Sequence, residues 1–293
     1  MNNPSVGADV DRSYLLSRQY RDSKKLEARA HLHRRYGRGG QGNWFEWIAR
    51  HAALPAGSQV LDIGCGPGWL WEQGKDGFPF GLSLTLADLS PGMVTDAVRA
   101  AQGAGHYARV EGVVADASKL PFADESFDAV LACHMLYHVP DARVALSEFK
   151  RVLRPGGILA VTTNLEGNMA PFYELGAAAF GGNASDPGAD IFGLRKAESL
   201  ISEQFNPVEM FEYPGELAVT SAPDIVLALT SFPPGDSADD AAVERLVDLV
   251  EAALEQGGGT IVMPKVQGMV RASRQAASKN SVTDVEDPRS QAT

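Results

Sequence analysis

Three acidic residues, each at the end of an apolar run, are the side chains of this sequence best placed to bind a polar ligand. Asp62 lies in the run VLDIGCGPG, residues 60–68, and Asp88 and Asp116 end the runs LSLTLAD and VEGVVAD. The first run contains glycines at alternate positions, Gly64, Gly66 and Gly68. Glycine lets backbone approach a ligand where side chains would collide. The pattern predicts a nucleotide-binding site formed by strand ends and a glycine loop.

The spacing of the glycines separates two kinds of nucleotide site. A dinucleotide fingerprint needs the pattern GxGxxG. Counted from Gly64 the third glycine position holds Trp69, and counted from Gly66 it holds Trp71. The spacing therefore argues against a nicotinamide-dependent oxidoreductase. Because the loop runs into a predicted helix, we also expect unpaired N–H groups there to meet an anionic or polar end of the ligand.

Apolar runs and helical periodicities alternate along the chain. Residues 146, 149, 152 and 153 are apolar at helical spacing between two of the predicted strands. This alternation predicts an α/β fold with a doubly wound, seven-stranded, mostly parallel Rossmann-like sheet, whose ligands bind at the carboxyl ends of the strands. The predicted strands lie near residues 60–63, 82–88, 110–116, 127–133, 158–162, 208–213 and 260–272.

An acidic residue followed by GxGxG, as in DIGCGPG, closely resembles the first motif of class I S-adenosylmethionine-dependent methyltransferases. The resemblance continues in order through SPGM, VEGVVAD, LPFADESFDAVLACHMLYHVPD and ALSEFKRVLRPGGILAVTT, and covers roughly positions 55 to 165. Several ordered motifs make it more specific than the glycine loop alone. Within that family the chain resembles the small-molecule enzymes of the ubiquinone/menaquinone methyltransferase type.

The resemblance implies S-adenosylmethionine as cofactor. The glycine loop and Asp62 would then hold its methionine end, Asp88 its ribose hydroxyls, and Asp116 its adenine amine. The remaining cofactor contacts that the resemblance implies are Tyr20, Arg29, Cys65, Leu89, Met93, Ala117 and Cys133.

Methyl transfer is an in-line displacement, so positioning is the main catalytic requirement. An acceptor with a hydroxyl or an acidic carbon also needs a proton removed. The candidates for this role are His134, Tyr137, His138 and Glu166. Each has a structural alternative, because HMLYHVPD resembles a turn shared across the family and a loop glutamate is exposed by default. No metal-ligand spacing is visible among the six histidines, and a carboxylate-held Mg²⁺ with a phosphorylated substrate stays an open alternative.

The regions outside the resemblance predict the organisation around the core. We expect an N-terminal helical cap over 1–53, the cofactor-binding core over 54–222, a helical lid insertion over 223–259, the last core strand over 260–274, and a disordered tail over 275–293. Aromatic and Gly/Ala-rich segments favour a small hydrophobic metabolite of specialised metabolism as the acceptor, methylated on carbon or oxygen. The alternatives are a non-catalytic S-adenosylmethionine-binding module and an N-methyltransferase of a small amine.

Composition limits the partners of the 293-residue chain. A net charge of −11 argues against a nucleic-acid substrate. The basic run at 29–38 has two interpretations, a salt-bridged helix face or a set of cations that meet an anionic ligand. Two cysteines form no disulfide or metal pattern. Because no signal peptide or membrane span is visible, we expect a soluble cytoplasmic protein. The sequence leaves the oligomeric state open.

Overall fold

The computed structural model describes residues 24–39 and 42–276. Its strands form one sheet of eight in the order β1-β7-β8-β6-β5-β2-β3-β4. The strands are β1 (Gly37–Arg38), β2 (Gln59–Ile63), β3 (Ser83–Asp88), β4 (Arg109–Val114), β5 (Phe127–Cys133), β6 (Leu153–Asn164), β7 (Val208–Val219) and β8 (Ile261–Ser273).

The sheet is doubly wound, as the sequence predicts. β2 pairs in parallel with both β3 and β5, so the strand order reverses between β2 and β5. β4 and β6 extend the parallel part on either side, whereas β8 and β7 join antiparallel beyond β6. The predicted count of seven strands was too low by one. The additional strand, β1, pairs Gly37 and Arg38 with the outer edge of β7, and two residues are too short for a periodic signal.

Helices cover both faces of the sheet and one end of it. Ser90 caps α4 by accepting a 3.4 Å hydrogen bond from the Met93 N–H, with Pro91 in the first turn as expected. In the described part of the chain, no helix is both long and apolar enough to cross a membrane. The helices are α1 (Lys24–Tyr36), α2 (Trp44–Ala52), α3 (Trp69–Gln73), α4 (Pro91–Ala104), α5 (Ala142–Val152), α6 (Ala170–Phe180), α7 (Pro187–Phe192), α8 (Leu194–Ser202), α9 (Ala222–Leu229) and α10 (Asp240–Gln256).

Alternate residues of the parallel strands fill two hydrophobic clusters, one on each face. Leu61 and Ile63 of β2 pack with α5 and α8, whereas Val60 packs with α2, α3 and α4. This follows from the period of two along a strand. Both faces of the central strands are buried, which explains their nearly continuous apolar sequences.

The antiparallel strands β7 and β8 continue beyond the parallel sheet and carry a third cluster. β6 ends where Asn164 pairs with Gln267, so residues 261–266 of β8 extend past the carboxyl edge with β7 alongside. The helices α1, α6, α9 and α10 pack on this extension through side chains such as Leu32, Phe172 and Leu246. We call these four helices the lid. The predicted N-terminal segment is therefore divided, with α1 in the lid and α2 in the core.

Asp224 ties α1 to α9 within the lid. Its Oδ2 accepts a 2.6 Å hydrogen bond from the Tyr36 hydroxyl and lies 3.3 Å from His31 Nε2 and 3.9 Å from Arg35 Nε. The Tyr36 hydrogen bond, with smaller contributions from His31 and Arg35, lowers the pKa of Asp224. The ionised carboxylate is therefore the form that the fold favours.

We predict that Asp224→Asn lowers the free energy of unfolding by about 1 to 2 kcal/mol at pH 7, because a hydrogen bond to a charged acceptor becomes one to a neutral acceptor. A lowered pKa contributes stability above the unfolded value of about 3.9, and that contribution disappears as the pH falls through the folded value. Urea unfolding at pH 7 and pH 3 should show the variant approaching wild type at the lower pH. The control Asp96→Asn removes an exposed pair with Arg99 and should change little. An equal deficit at both pH values would contradict the role of the charge.

Candidate functional site

The glycine loop after β2 combines close packing with open space. Gly64, Gly66 and Gly68 have φ values of +72°, +52° and +82°, a region that favours glycine. A Cβ on Gly64 would lie 2.6 Å from the Cβ of Met135, and one on Gly68 would lie 2.6 Å from the Cα of Ala97. A Cβ on Gly66 would meet nothing within 4 Å. Gly66 therefore borders a space that a ligand can enter, while the other two glycines permit packing.

The N–H groups of the loop are largely used by the protein itself. Those of Gly64 and Cys65 donate to the Ala87 carbonyl at 2.8 and 3.0 Å, and that of Gly68 donates to the Cys65 carbonyl at 3.2 Å. Gly66 N–H donates to Asp88 Oδ2 at 3.1 Å. Neighbouring acceptors therefore satisfy the N–H groups at these four positions, and the expectation of unpaired N–H groups at the start of the following helix, α3, stays a prediction. The loop supplies room for a ligand, and carboxylates supply the polar contacts.

Asp88 joins the ends of β2 and β3. One oxygen accepts from Gly66 N–H, and the other accepts from Ser90 N–H at 2.9 Å. Burial raises the pKa of Asp88, while these backbone hydrogen bonds act in the opposite direction. Each carboxylate oxygen can accept a further hydrogen bond. Asp88 is therefore fixed in place and still able to bind hydroxyl groups of a ligand.

Asp62 lies beneath the loop rather than reaching out of the strand, which corrects the expected direct reach toward a ligand. Its side chain is buried, at 1% exposure, and its Oδ2 accepts a 2.7 Å hydrogen bond from Trp71 Nε1. Trp71 is itself stacked on Phe78 with ring centroids 4.6 Å apart. Burial raises the pKa of Asp62 to about 7, and the charge of Asp88 acts in the same direction. Its Oδ1 has no partner among the described residues.

The strand ends of β3 and β4 place the other expected cofactor contacts. Asp116 is half-buried and accepts a 2.9 Å hydrogen bond from Ser118 N–H, two residues beyond the end of β4. Leu89 is half-buried beside Asp88, and Ala117 is buried. Met93 is 1% exposed and contributes to the core under α4. Leu89 is thus the more accessible apolar side chain of this turn.

The segment after β5 lies between the two halves of the sheet. His134 has a φ of +52° and its N–H donates to the Thr162 carbonyl at 2.9 Å. Burial lowers the pKa of His134 to about 4, with the charge of Lys265 as a further cause. Burial, with the charge of Arg29, lowers that of His138 to about 4 as well. Both imidazoles are therefore neutral at pH 7. Burial raises the pKa of the Cys133 thiol, which disfavours a nucleophilic thiolate.

Tyr137 and Glu166 are the remaining candidate bases. Tyr137 packs its ring against His138, with centroids 4.5 Å apart, and against Gly188 of α7. Glu166 is exposed on the turn after β6, so the geometry gives no support to its role as a base. Within residues 24–39 and 42–276, no group of three or more His, Cys, Asp or Glu side chains is gathered to hold a metal ion.

The basic run on α1 fits both of its interpretations. Arg34 pairs with Glu27 and Arg35 lies near Asp224, as a salt-bridged face requires. Arg29 faces inward, with its guanidinium 5.8 Å from the ring centroid of Phe232, and its charge contributes to the lowered pKa of His138. Tyr20, the other N-terminal residue expected at the cofactor, lies outside the described residues.

The sequence did not identify two side chains at the cleft, Lys265 and His33. Lys265 of β8 lies with its Nζ 5.8 Å from the ring centroid of Trp44 and 5.5 Å from that of Tyr213. Burial and the charge of Lys265 lower the pKa of His33 to about 3. The available signal for Lys265 was a charged side chain within a predicted strand, although that strand also contains Gln267 and Arg271. His33 gave no separate signal because it lies in a helix rich in basic residues.

Comparison with known proteins agrees with this geometry. A family model described as a methyltransferase domain matches residues 61–161. The demethylmenaquinone methyltransferase of Staphylococcus aureus is 30% identical over 174 residues, which are 59% of this chain and 68% of that protein. The chain belongs to the S-adenosylmethionine-dependent methyltransferases. The strands that carry the glycine loop, Asp88 and His134 all lie within or beside the matched segment.

Other relatives cover less of their own length or share only the fold. Methyltransferase GfsG of Streptomyces halstedii is 38% identical over 120 residues, which are 40% of this methyltransferase and 41% of GfsG. The chain spans 36 to 44% of the length of the first five curated relatives. The solved structure of the [4+2]-cyclase SpnF superposes with a TM-score of 0.55 at 21% identity, covering 94% of this chain and 99% of SpnF.

We predict that Asp62→Asn flattens part of the pH dependence of stability in the cofactor-free protein. The raised pKa of Asp62 means that the folded form holds a proton that the unfolded form loses above about pH 3.9. This contribution to stability is complete below that pH and is lost as the pH rises through about 7. In urea unfolding across this pH range, the free energy of unfolding of wild type should fall by on the order of a few kcal/mol relative to that of the variant. The exposed control Asp76→Asn should follow wild type, and parallel curves for wild type and Asp62→Asn would contradict the assignment.

Proposed function

We propose that this methyltransferase transfers a methyl group from S-adenosylmethionine to a small hydrophobic metabolite, on carbon or oxygen. The observation that carries the proposal is the pair of carboxylates, Asp88 and Asp116, at neighbouring strand ends beside the open space at Gly66. Ribose hydroxyls and an adenine amine are donors that such carboxylates accept from. The family match supports the same ligand.

The residues present fit this cofactor. When bound, S-adenosylmethionine supplies a methyl group on a positively charged sulfur. Gly66 leaves room for it, Asp88 would accept from the ribose hydroxyls, and Asp116 would accept from the adenine amine. Asp62 Oδ1 is a buried acceptor without a partner among the described residues, so the region under the loop also favours a cation. These assignments give each of the three carboxylates in the cofactor half of the cleft a part of the cofactor to meet.

The lid provides the conditions that a displacement reaction requires. Its apolar cluster and the aromatic residues of α2 surround the other half of the carboxyl edge. Exclusion of water and alignment of the two reactants each lower the barrier without an acid or a base. The neutral His134 lies between the halves, where it can accept a hydrogen bond from an acceptor hydroxyl.

An apolar crevice in the lid supports a hydrophobic acceptor. It opens between α6, α7 and the segment after α9, and its walls include Tyr173, Phe180, Leu229 and Phe232. Burial raises the pKa of Tyr173, with the charge of Asp186 acting in the same direction and that of Arg29 opposing it. The Staphylococcus aureus relative is named a demethylmenaquinone methyltransferase, which supports a hydrophobic acceptor.

We predict that Asp88→Ala weakens binding of radiolabelled S-adenosylmethionine by about 10- to 150-fold, because the ribose hydroxyls lose a charged acceptor. Asp88→Asn should weaken it less, since its amide oxygen can still accept one of the two backbone N–H groups that organise the loop. The exposed substitution Asp248→Ala on α10 is the matched control. Unchanged affinity in Asp88→Ala would mean that the cofactor binds elsewhere.

The reaction itself is tested by product mass. The purified protein is incubated with S-adenosylmethionine labelled in its methyl group and with a panel of hydrophobic hydroxylated ring compounds and amines. We expect a product heavier by one labelled methyl group, with fragmentation that places it on carbon or oxygen. Cofactor binding without any methylated product across the panel would favour a binding module, and a labelled amine would favour N-methylation.

A further inference from the structure

Lys265 lies at the acceptor half of the cleft because β8 extends past the end of its neighbour β6. β6 ends at Asn164, opposite Gln267, and Lys265 lies two residues farther along β8, paired with Gly215 of β7. The glycine loop follows β2, which is separated from β8 by β5 and β6. With strands about 4.8 Å apart, these positions differ by roughly 14 Å across the sheet. Lys265 is therefore remote from the carboxylates assigned to the cofactor.

Aromatic side chains surround the lysine ammonium group. Its Nζ lies 5.8 Å from the ring centroid of Trp44 and 5.5 Å from that of Tyr213. The two rings meet at 67° with centroids 5.0 Å apart. Trp44 also lies against His134, with ring centroids separated by 5.8 Å. The two rings are therefore in direct edge-to-face contact and form one aromatic wall beside the ammonium group, on which a planar ring with a polar substituent can pack.

The described polar groups around Lys265 are hydrogen-bond donors or cations, and none of them is a carboxylate that could pair with the ammonium group. In the described ranges, 24–39 and 42–276, no acidic side chain forms a salt bridge with Lys265, which is half-buried. His33 Nδ1 and Gln267 Nε2 are buried without partners in the same part of the structure. Gln267 is 5% exposed and lies on the same face of β8 as Lys265. A partly buried charge is costly unless something pairs with it.

We propose that Lys265 binds the oxyanion of an acidic hydroxyl, phenolic or enolic, carried by the methyl acceptor. This inference rests on the proposed function and deepens it by naming the acceptor class. The oxyanion supplies the counterion that the ammonium group lacks, and the wall formed by Trp44 and Tyr213 gives the conjugated framework that makes such a hydroxyl acidic a surface to pack on. An ionised hydroxyl is also the better nucleophile for methylation, on its oxygen or on the conjugated carbon.

The charges that face Lys265 define the pH range of this binding. Burial lowers the pKa of Lys265 to about 8, so it is charged below that pH. His33 of α1 and His134 after β5 have pKa values of about 3 and 4, so they are neutral near pH 7. Arg29 of α1 adds a second positive charge, and Tyr213 of β7 contributes its ring. An oxyanion is thus held most strongly between its own pKa in the site and about pH 8.

The test uses para-nitrophenol, whose ionised form has its own visible absorption. Full-length protein saturated with S-adenosylhomocysteine is titrated with the probe at a series of pH values. We expect wild type to lower the pKa of the bound probe by about one unit, a tenfold change in its ionisation equilibrium. Lys265→Met should abolish the shift, and Lys265→Arg should retain most of it. The control Lys150→Met, on the exposed face of α5, should behave as wild type.

Each outcome of this experiment either supports or overturns the inference about Lys265. The inference is overturned if wild type does not bind the probe, if its pKa does not change, or if Lys265→Met produces the wild-type shift. It is also overturned if Lys265→Met weakens S-adenosylhomocysteine binding instead, because Lys265 would then serve the cofactor. Thermal melting checks that the variants are folded. If Lys265→Met does not fold, the comparison of wild type with Lys265→Arg keeps the test valid. Loss of S-adenosylhomocysteine binding by wild type would instead refute the proposed function.

Discussion

The carboxylate of Asp88 holds together the two loops on which the cofactor half of the cleft depends. It accepts from Gly66 N–H after β2 and from Ser90 N–H after β3, so both loops are fixed before any ligand enters. Below them, Trp71 donates to the buried Asp62 and supports the loop from the core. A site fixed in this way loses little conformational entropy on binding. The same carboxylate that organises the loops is the group proposed to meet the ribose.

The carboxyl edge of the sheet is divided by the switch between β2 and β5. The glycine loop, Asp88 and Asp116 lie on one side, and Lys265, Trp44 and the lid lie on the other. His134 follows β5 and contacts Trp44, so it lies at the boundary. The fold alone does not fix the reaction, since a [4+2]-cyclase has the same architecture. The chemistry must be read from the side chains on either side of this boundary.

The sequence predicted the parallel core well because its signals are local. β5 spans Phe127–Cys133 as expected, and Asp88 ends its strand. The features that the sequence could not show depend on contacts between residues that are far apart in the chain. β1 needs β7 to form, and the lid unites α1 with α9 through residues 188 positions apart, Tyr36 and Asp224. The environment of Lys265 likewise brings together α1, α2, β5 and β7. Local signals also do not show that the N–H groups of Gly64 and Cys65 donate to the Ala87 carbonyl, because this acceptor belongs to the neighbouring strand.

A crystal structure of the protein with S-adenosylhomocysteine tests this division of the cleft most directly. We predict that the ribose hydroxyls lie within hydrogen-bonding distance of the Asp88 carboxylate, with the adenine beside Asp116. We further predict that the sulfur points toward His134, leaving the space in front of Lys265 free for the acceptor. A ligand whose ribose lies away from Asp88, or whose carboxylate pairs with Lys265, would contradict the account.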